Sequence, residues 1–197
     1  MSSKNMSSKN MASKKLPTGW VDGVLRFWFE ELRPEDWFSS HAHLDERIRQ
    51  RFGELCEALR SEPPVLDDAD ARTLLAAIVV FDQFPRNIYR KTPAAYASDD
   101  RALALAKAAV ETGKDRSLPP VQRHFIYMPF MHSEDLRAQE ESVRLFSELG
   151  IADGLKYARH HHGVVKRFGR FPHRNVILGR QSTPEELEFL KNEPAFV

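Results

Sequence analysis

Residues 44–59 read LDERIRQRFGELCEAL, and they decide the fold class. Leu44, Ile48, Phe52, Leu55, Cys56 and Leu59 recur at intervals of three and four, with charged residues between them. That is the period of an α-helix, so the stretch forms an amphipathic helix that buries one face. Cys56 lies on the apolar stripe and reads as a small core side chain, because a free cysteine packs more often than it reacts.

The same period extends in both directions. Val21, Val24, Leu25 and Trp28 are spaced as one helical face. Residues 70–83 are apolar on most sides through Leu74, Leu75, Ile78, Val79 and Phe81, which predicts a central helix. Ser98-Asp99-Asp100 opens an alanine-rich helix reaching about Thr112. Pro119 and Pro120 suit the first turn of a helix over 121–130. Ser133 is the predicted cap of the next helix, with Glu134 and Asp135 against its N-terminal dipole and Gly150 at its end. A helix over 152–168 stops at Gly169. Thr183-Pro184-Glu185-Glu186 is a capping box with proline at the first helical position. No segment alternates with period two. The chain is expected to be all-α, with about eight helices in antiparallel hairpins joined by short linkers.

Residues 1–17 read MSSKNMSSKNMASKKLP, polar and self-repeating. They cannot bury apolar area and are expected to form a disordered tail, leaving residues 18–197 as a single helical domain. Hydrophobic residues are 42% of the chain and charged residues 29%, a globular composition. A net charge of +1 argues against nucleic acid as a partner, since nonspecific binding to it needs a positive excess. One cysteine cannot form an internal disulfide. No apolar run approaches the ~20 residues that span a bilayer, and no signal-peptide core is visible. A cytoplasmic protein without a membrane partner is expected.

Two segments resemble each other. One is Phe84-Pro85-Arg86-Asn87 with Arg90 beyond; the other is Phe171-Pro172-His173-Arg174-Asn175 with Arg180 beyond. Proline disfavours α geometry in the residue before it, so both preceding helices should stop near the phenylalanine. Arginine then offers a rigid fork of donors for a carboxylate or phosphate, and asparagine offers a donor and an acceptor. Residues 155–180 hold no Asp or Glu but carry Arg167, Arg170, Arg174, Arg180, His161 and His173. Such a block favours an anion, or an acidic surface elsewhere in the same protein. The plainer reading is that these arginines cap helix ends and pair with acids. Asp82 falls in line with Leu75, Ile78 and Val79, so it is expected to be buried beside an arginine. His132, Glu134 and Asp135 form a third polar cluster. No zinc signature, P-loop or G-x-G-x-x-G is present, so neither metal nor cofactor is expected.

The strings FWFEELRPEDWF, FDQFPRNIYR, MPFMHSEDLRAQEE, RFGRFPHRNVILGR and STPEELEFL closely resemble a bacterial family of unknown function, family 924. That family is assigned to the tetratricopeptide-like helical superfamily. The resemblance runs from about Val24 to Leu190, and it implies a compact right-handed array of helical hairpins. It implies no activity.

Three readings remain open at this level. The first is a crevice between hairpins that holds a small anionic molecule. Asp82, Arg86, Asn87, Arg90, Arg167, Arg170, Arg174, Asn175 and Arg180 would bind it, and His132, His161, His173 and Glu134 would serve proton transfer. Trp28, Trp37, Phe84 and Phe171 would wall it. The second is a non-enzymatic module for an acidic peptide or protein. The third is a buried polar network that only locks helix ends together.

Overall fold

The computed structural model describes residues 16–38, 41–61 and 69–192. Residues 1–15 of the expected tail, and the last five residues of the chain, lie outside the described residues. Among the described residues there are nine helices, eight of them seven residues or longer, and no strand. None is long and apolar enough to cross a membrane.

Helix α1 (Trp20–Arg26) continues into a π turn, Phe27–Glu31, and α2 (Pro34–Trp37) is a single turn opened by proline. Helix α3 (Ala42–Ser61) buries all six apolar residues that announced it, Cys56 among them. Helix α4 starts at Ala71–Ile78, passes through a π segment, Val79–Gln83, and finishes with Phe84–Ile88. Then come α5 (Asp99–Glu111), α6 (Pro120–His132), α7 (Leu136–Leu149), α8 (Ala152–Phe168) and α9 (Pro184–Asn192). The α9 capping box forms as the sequence predicts: Thr183 N–H donates to Glu186, and Glu186 N–H to the Thr183 hydroxyl.

Helix α4 is buried continuously from Leu74 to Phe84, and α1, α5 and α6 pack around it. Helix α3 packs on its last turn; α7 packs on α6, and α8 on α7. The core beneath is aromatic. Phe125 meets Trp28 at 5.7 Å and Trp37 at 5.0 Å, both edge to face. Each such ring adds roughly 1.5–3 kcal/mol by leaving water. Trp37 is fixed further by its indole N–H, which donates to the Trp28 carbonyl at 2.8 Å.

Two expectations are corrected. Helix α4 does not stop at Phe84. Phe84 N–H reaches back five residues to the Val79 carbonyl, and this wider turn lets the helix restart with Pro85 in its first turn. A proline there needs no N–H partner. The second Phe-Pro segment behaves as predicted: Gly169, at φ 69°, ends α8, and Pro172 opens a short 3-10 turn. Nor does Ser133 cap α7. Asp135 is the cap, accepting from Ala138 N–H at 2.9 Å, while the Ser133 hydroxyl accepts from Asp135 N–H. Glu134 is turned away to another partner.

Helix α8 packs tightly on α7 at Gly154, where an added Cβ would lie 2.7 Å from a Phe146 ring carbon. Gly163 on the same helix has nothing within 4 Å of such an atom. Gly154→Ala is therefore expected to destabilise by about 1–3 kcal/mol through overpacking. Gly163→Ala is expected to stabilise by roughly 0.5–1 kcal/mol through helix propensity. Urea titration of the two variants distinguishes them; equal effects would mean that α8 does not pack this tightly.

Candidate functional site

The two Phe-Pro segments meet at one carboxylate. Arg86 donates to both oxygens of Asp99 at 3.0 Å, and Arg174 reaches Asp99 at 3.3 Å. Arg86 also lies 3.2 Å from Asp82 and donates to its backbone carbonyl. Asp82 is fully buried on the π segment of α4. Burial alone would push its carboxyl up, but Arg86 and His132 outweigh that and hold it at about 2. The other Asp82 contacts are Gln83 Nε2 at 2.5 Å and His132 Nδ1 at 2.7 Å. Arg174 stacks between Tyr96 and Phe171, 4.5 and 4.7 Å from the ring centroids. A second nitrogen of Arg174 donates to the His132 carbonyl at 3.0 Å, while Gln139 donates to the carbonyls of Met131 and Ser133. The end of α6 is thus held by side chains at three consecutive carbonyls.

A second belt continues from this centre. Glu134 forms a paired bridge with Arg180, at 2.6 and 2.9 Å, and accepts from Phe171 N–H. Arg180 Nε also donates to the Asn175 side-chain oxygen. Asn175 donates to Ser182 and to Glu186, and Arg170 grips Glu186 with two nitrogens, at 2.6 and 2.8 Å. Arg170 holds the Glu186 carboxyl at about 2.

The remaining sequence candidates lie apart. Arg90 binds Asp45 through two nitrogens at 2.8 Å, and Asn87 donates to the same carboxylate. These contacts tie α3 to the last turn of α4. Arg167 pairs with Glu185 on the surface, both side chains more than half exposed. Every arginine singled out from the sequence therefore faces a carboxylate, and the acids that meet the basic block 155–180 come from outside it.

Two openings flank His132. The smaller, about 250 Å³, has Tyr96, Asp99, Asp100, His132, Glu134 and Arg174 among its lining. The larger is a cavity of about 590 Å³ between α6, α8 and the α2 turn. Its walls include Trp37, Phe38, Phe125, Met128, Met131 and Gly154, with His124, His132 and His161 set among them. Phe38, Val121 and Tyr157 at its rim are exposed. Of the four residues expected to wall a pocket, only Trp37 does so here; Trp28 and Phe84 lie in the core, and Phe171 stacks on His161 and Arg174. His161 Nδ1 lies 2.9 Å from the Tyr157 carbonyl oxygen. His173 packs on Phe171 and lines neither opening. Among the described residues, no group of three or more His, Cys, Asp or Glu is placed to hold a metal ion.

Sequence reasoning passed over Asp45 and His124, and read Asp99 and Glu186 only as parts of helix starts. The three acids are separated from their partner arginines by 45, 75 and 16 residues, too far for any local pattern. His124 had a signal: His124, Met128 and His132 follow at intervals of four, on one face of α6.

The chain matches, over residues 24–194, the family described as a bacterial protein of unknown function, DUF924, and belongs to that family. A solved structure titled "Structure of Protein of Unknown Function ATU0120 from Agrobacterium tumefaciens" is similar, with 36% identity and a TM-score of 0.83. The match covers 88% of this chain and 97% of that one. No curated protein matches it significantly.

Burial lowers the histidines at this end of the fold: His161 to about 3, His124 and His173 to about 4. The unfolded chain takes up a proton on each near 6.5, whereas the folded chain does so only two units or more below. Protons in that window favour unfolding, so the contribution is full above 6.5 and is lost as pH falls towards 3 to 4. Each such histidine adds a slope of up to about 1.4 kcal/mol per pH unit. Stability measured by urea titration is expected to fall steadily between pH 7 and 5, before the carboxylates titrate. His161→Gln should flatten that decline by about one proton's share; a flat wild-type profile would contradict the burial of these rings.

Proposed function

We propose that this protein binds a small molecule in the larger cavity and that the Asp82–His132 pair acts on it as a proton acceptor. The observation that carries this reading is the placement of His132. One ring nitrogen is held by a buried, ionised carboxylate, and the ring forms part of the cavity wall. Nε2 meets no hydrogen-bonding partner among the described residues. Burial and the Arg86 charge lower the His132 pKa, so the imidazole is neutral at physiological pH. A carboxylate behind an imidazole fixes its orientation and stabilises the imidazolium that forms when it takes a proton. The cavity volume falls in the range of ligand pockets, and apolar walls with a few placed polar groups are their usual lining.

The anionic ligand expected from the sequence fits the smaller opening best, at Arg174. There it would compete with Asp99, Asp100 and Glu134. The arginines elsewhere would have to release a carboxylate first, and that favours the larger cavity. An acidic peptide or protein as partner draws support from Lys156, Arg159 and Lys166, all exposed on α8. The successive packing of α5 on α6, α6 on α7 and α7 on α8 supports a tetratricopeptide-like hairpin array.

The test uses a neutral apolar fluorophore, N-phenyl-1-naphthylamine, with carbethoxylation of histidine as the second readout. Wild type is expected to take up the dye saturably, and Val121→Trp, which narrows the exposed rim, to lose most of that uptake. Diethylpyrocarbonate attacks neutral imidazole, so His132 should be modified at pH 7.5, and bound dye should protect it. Saturable uptake unaffected by Val121→Trp, or a His132 that resists the reagent, would count against the site.

A further inference from the structure

The smaller opening is built around an arginine whose donors are incompletely used. Arg174 lines it, with a side chain only 8% exposed. A guanidinium carries five N–H donors. One Arg174 nitrogen reaches Asp99 at 3.3 Å, and another donates to the His132 carbonyl. Nε is buried and meets no acceptor. Asp99 does not make up the shortfall, because Arg86 already grips both of its oxygens at 3.0 Å. Burial and the Arg86 charge both count against the Arg174 cation. A ligand carboxylate would supply the missing acceptor.

A plain anion would also meet Asp99, Asp100 and Glu134 around the same opening. Arg86 neutralises Asp99, and Arg180 neutralises Glu134. Asp100 is different. It is exposed in the first turn of α5, and among the described residues its carboxylate has no ion-pair or hydrogen-bond partner. The positive end of α5 accounts for one acid in that turn, and Asp99 already stands there. Leu103 and Leu178 add an apolar wall. We infer that the smaller opening binds a small zwitterion of the amino-acid class. Its carboxylate meets Arg174, its ammonium meets Asp100, and a short aliphatic body lies against Leu103 and Leu178. The ammonium offsets the acids that repel a plain anion, and the carboxylate offsets the arginine that repels a plain amine. Of their described linings, the two openings share only His132, so this site and the larger cavity can each fail alone.

Four probes share a five-carbon chain: L-2-aminopentanoate, 5-aminopentanoate, pentanoate and pentylamine. The first two are zwitterions that differ in the spacing of their charges. Binding to wild type, Asp100→Asn and Ala97→Trp is measured by calorimetry at pH 7. Asp100→Asn changes an exposed side chain and leaves the Arg174 contacts intact, while Ala97→Trp fills the exposed edge of the opening. One of the zwitterions is expected to bind at least about fivefold tighter than pentanoate or pentylamine. Asp100→Asn should weaken it about two- to fivefold, the range of an exposed ion pair, and leave pentanoate no weaker. Ala97→Trp should abolish binding. Pentanoate or pentylamine binding as tightly as both zwitterions overturns the inference. Failure of both zwitterions to bind wild type, or binding that either variant leaves unchanged, also overturns it. The Arg174 Nε–H resonance gives a second readout. Lacking an acceptor in the free protein, it is expected to move downfield when the zwitterion is bound. An unmoved signal overturns the assignment of Arg174 as the partner of the carboxylate.

Discussion

Asp82 has no access to solvent, and most of what surrounds it follows from that. A buried carboxylate costs several kcal/mol unless charge and hydrogen bonds replace its water. Arg86, His132 and Gln83 replace it here. Arg86 then needs a second acid, Asp99, and Asp99 recruits Arg174 from the far end of the chain. The result is an alternating row of charges linking α4, α5, α6 and the 3-10 turn after α8. Removing one member of such a row costs about 3–5 kcal/mol, because the charge left behind is buried and unpaired. Set against a total stability of about 5–15 kcal/mol, that makes the row a condition of the fold rather than an ornament of it. The exposed Arg167–Glu185 pair is another matter, contributing about 0–1 kcal/mol.

The π segment of α4 is what brings Asp82 into this position. Asp82, Gln83 and Phe84 are all buried, yet they occupy consecutive positions. A regular α-helix spreads three neighbours over about 200° of its circumference, so all three are buried only if the helix is enclosed on most sides. Enclosure by α1, α3, α5 and α6 supplies the burial. The added residue in the π turn absorbs Pro85, so the helix can carry Arg86 onward to Asp99. Such turns recur at functional positions in helices, and this one carries the acid that orients His132.

Helix type, number and most helix ends were legible in the sequence, because they depend on local periodicity and capping. Thr183 to Glu186, Gly150 and Gly169 act within a few residues of their effect. The misreadings arose where a distant group intervened. The proline rule holds for an isolated helix, but around Phe84 the enclosing core makes it cheaper to widen a turn than to end the helix. Ser133 lost the cap to Asp135, whose carboxylate reaches Ala138 N–H, while Glu134 was drawn off by Arg180. The arginines, histidines and asparagines were visible as a group. Their partners were not, because a basic segment announces that acids are needed and says nothing of where in the chain they stand.

That gap removes the main support for a bound anion. Read alone, a block of arginines without acids points to a bound anion. Once Asp45, Asp82, Asp99, Glu134 and Glu186 are placed against them, the positive charge is spent within the protein. What faces the larger cavity is the reverse side of the network. Asp82 holds the His132 proton on Nδ1, and the Tyr157 carbonyl does the same for His161. Arg86 acts on the His132 ring in two ways: by holding Asp82 ionised it fixes the His132 proton on Nδ1, and its own charge opposes a second proton. A network that is structural by its contacts thereby sets the chemistry of the surface it supports, and the buried row of charges and the cavity belong to one device.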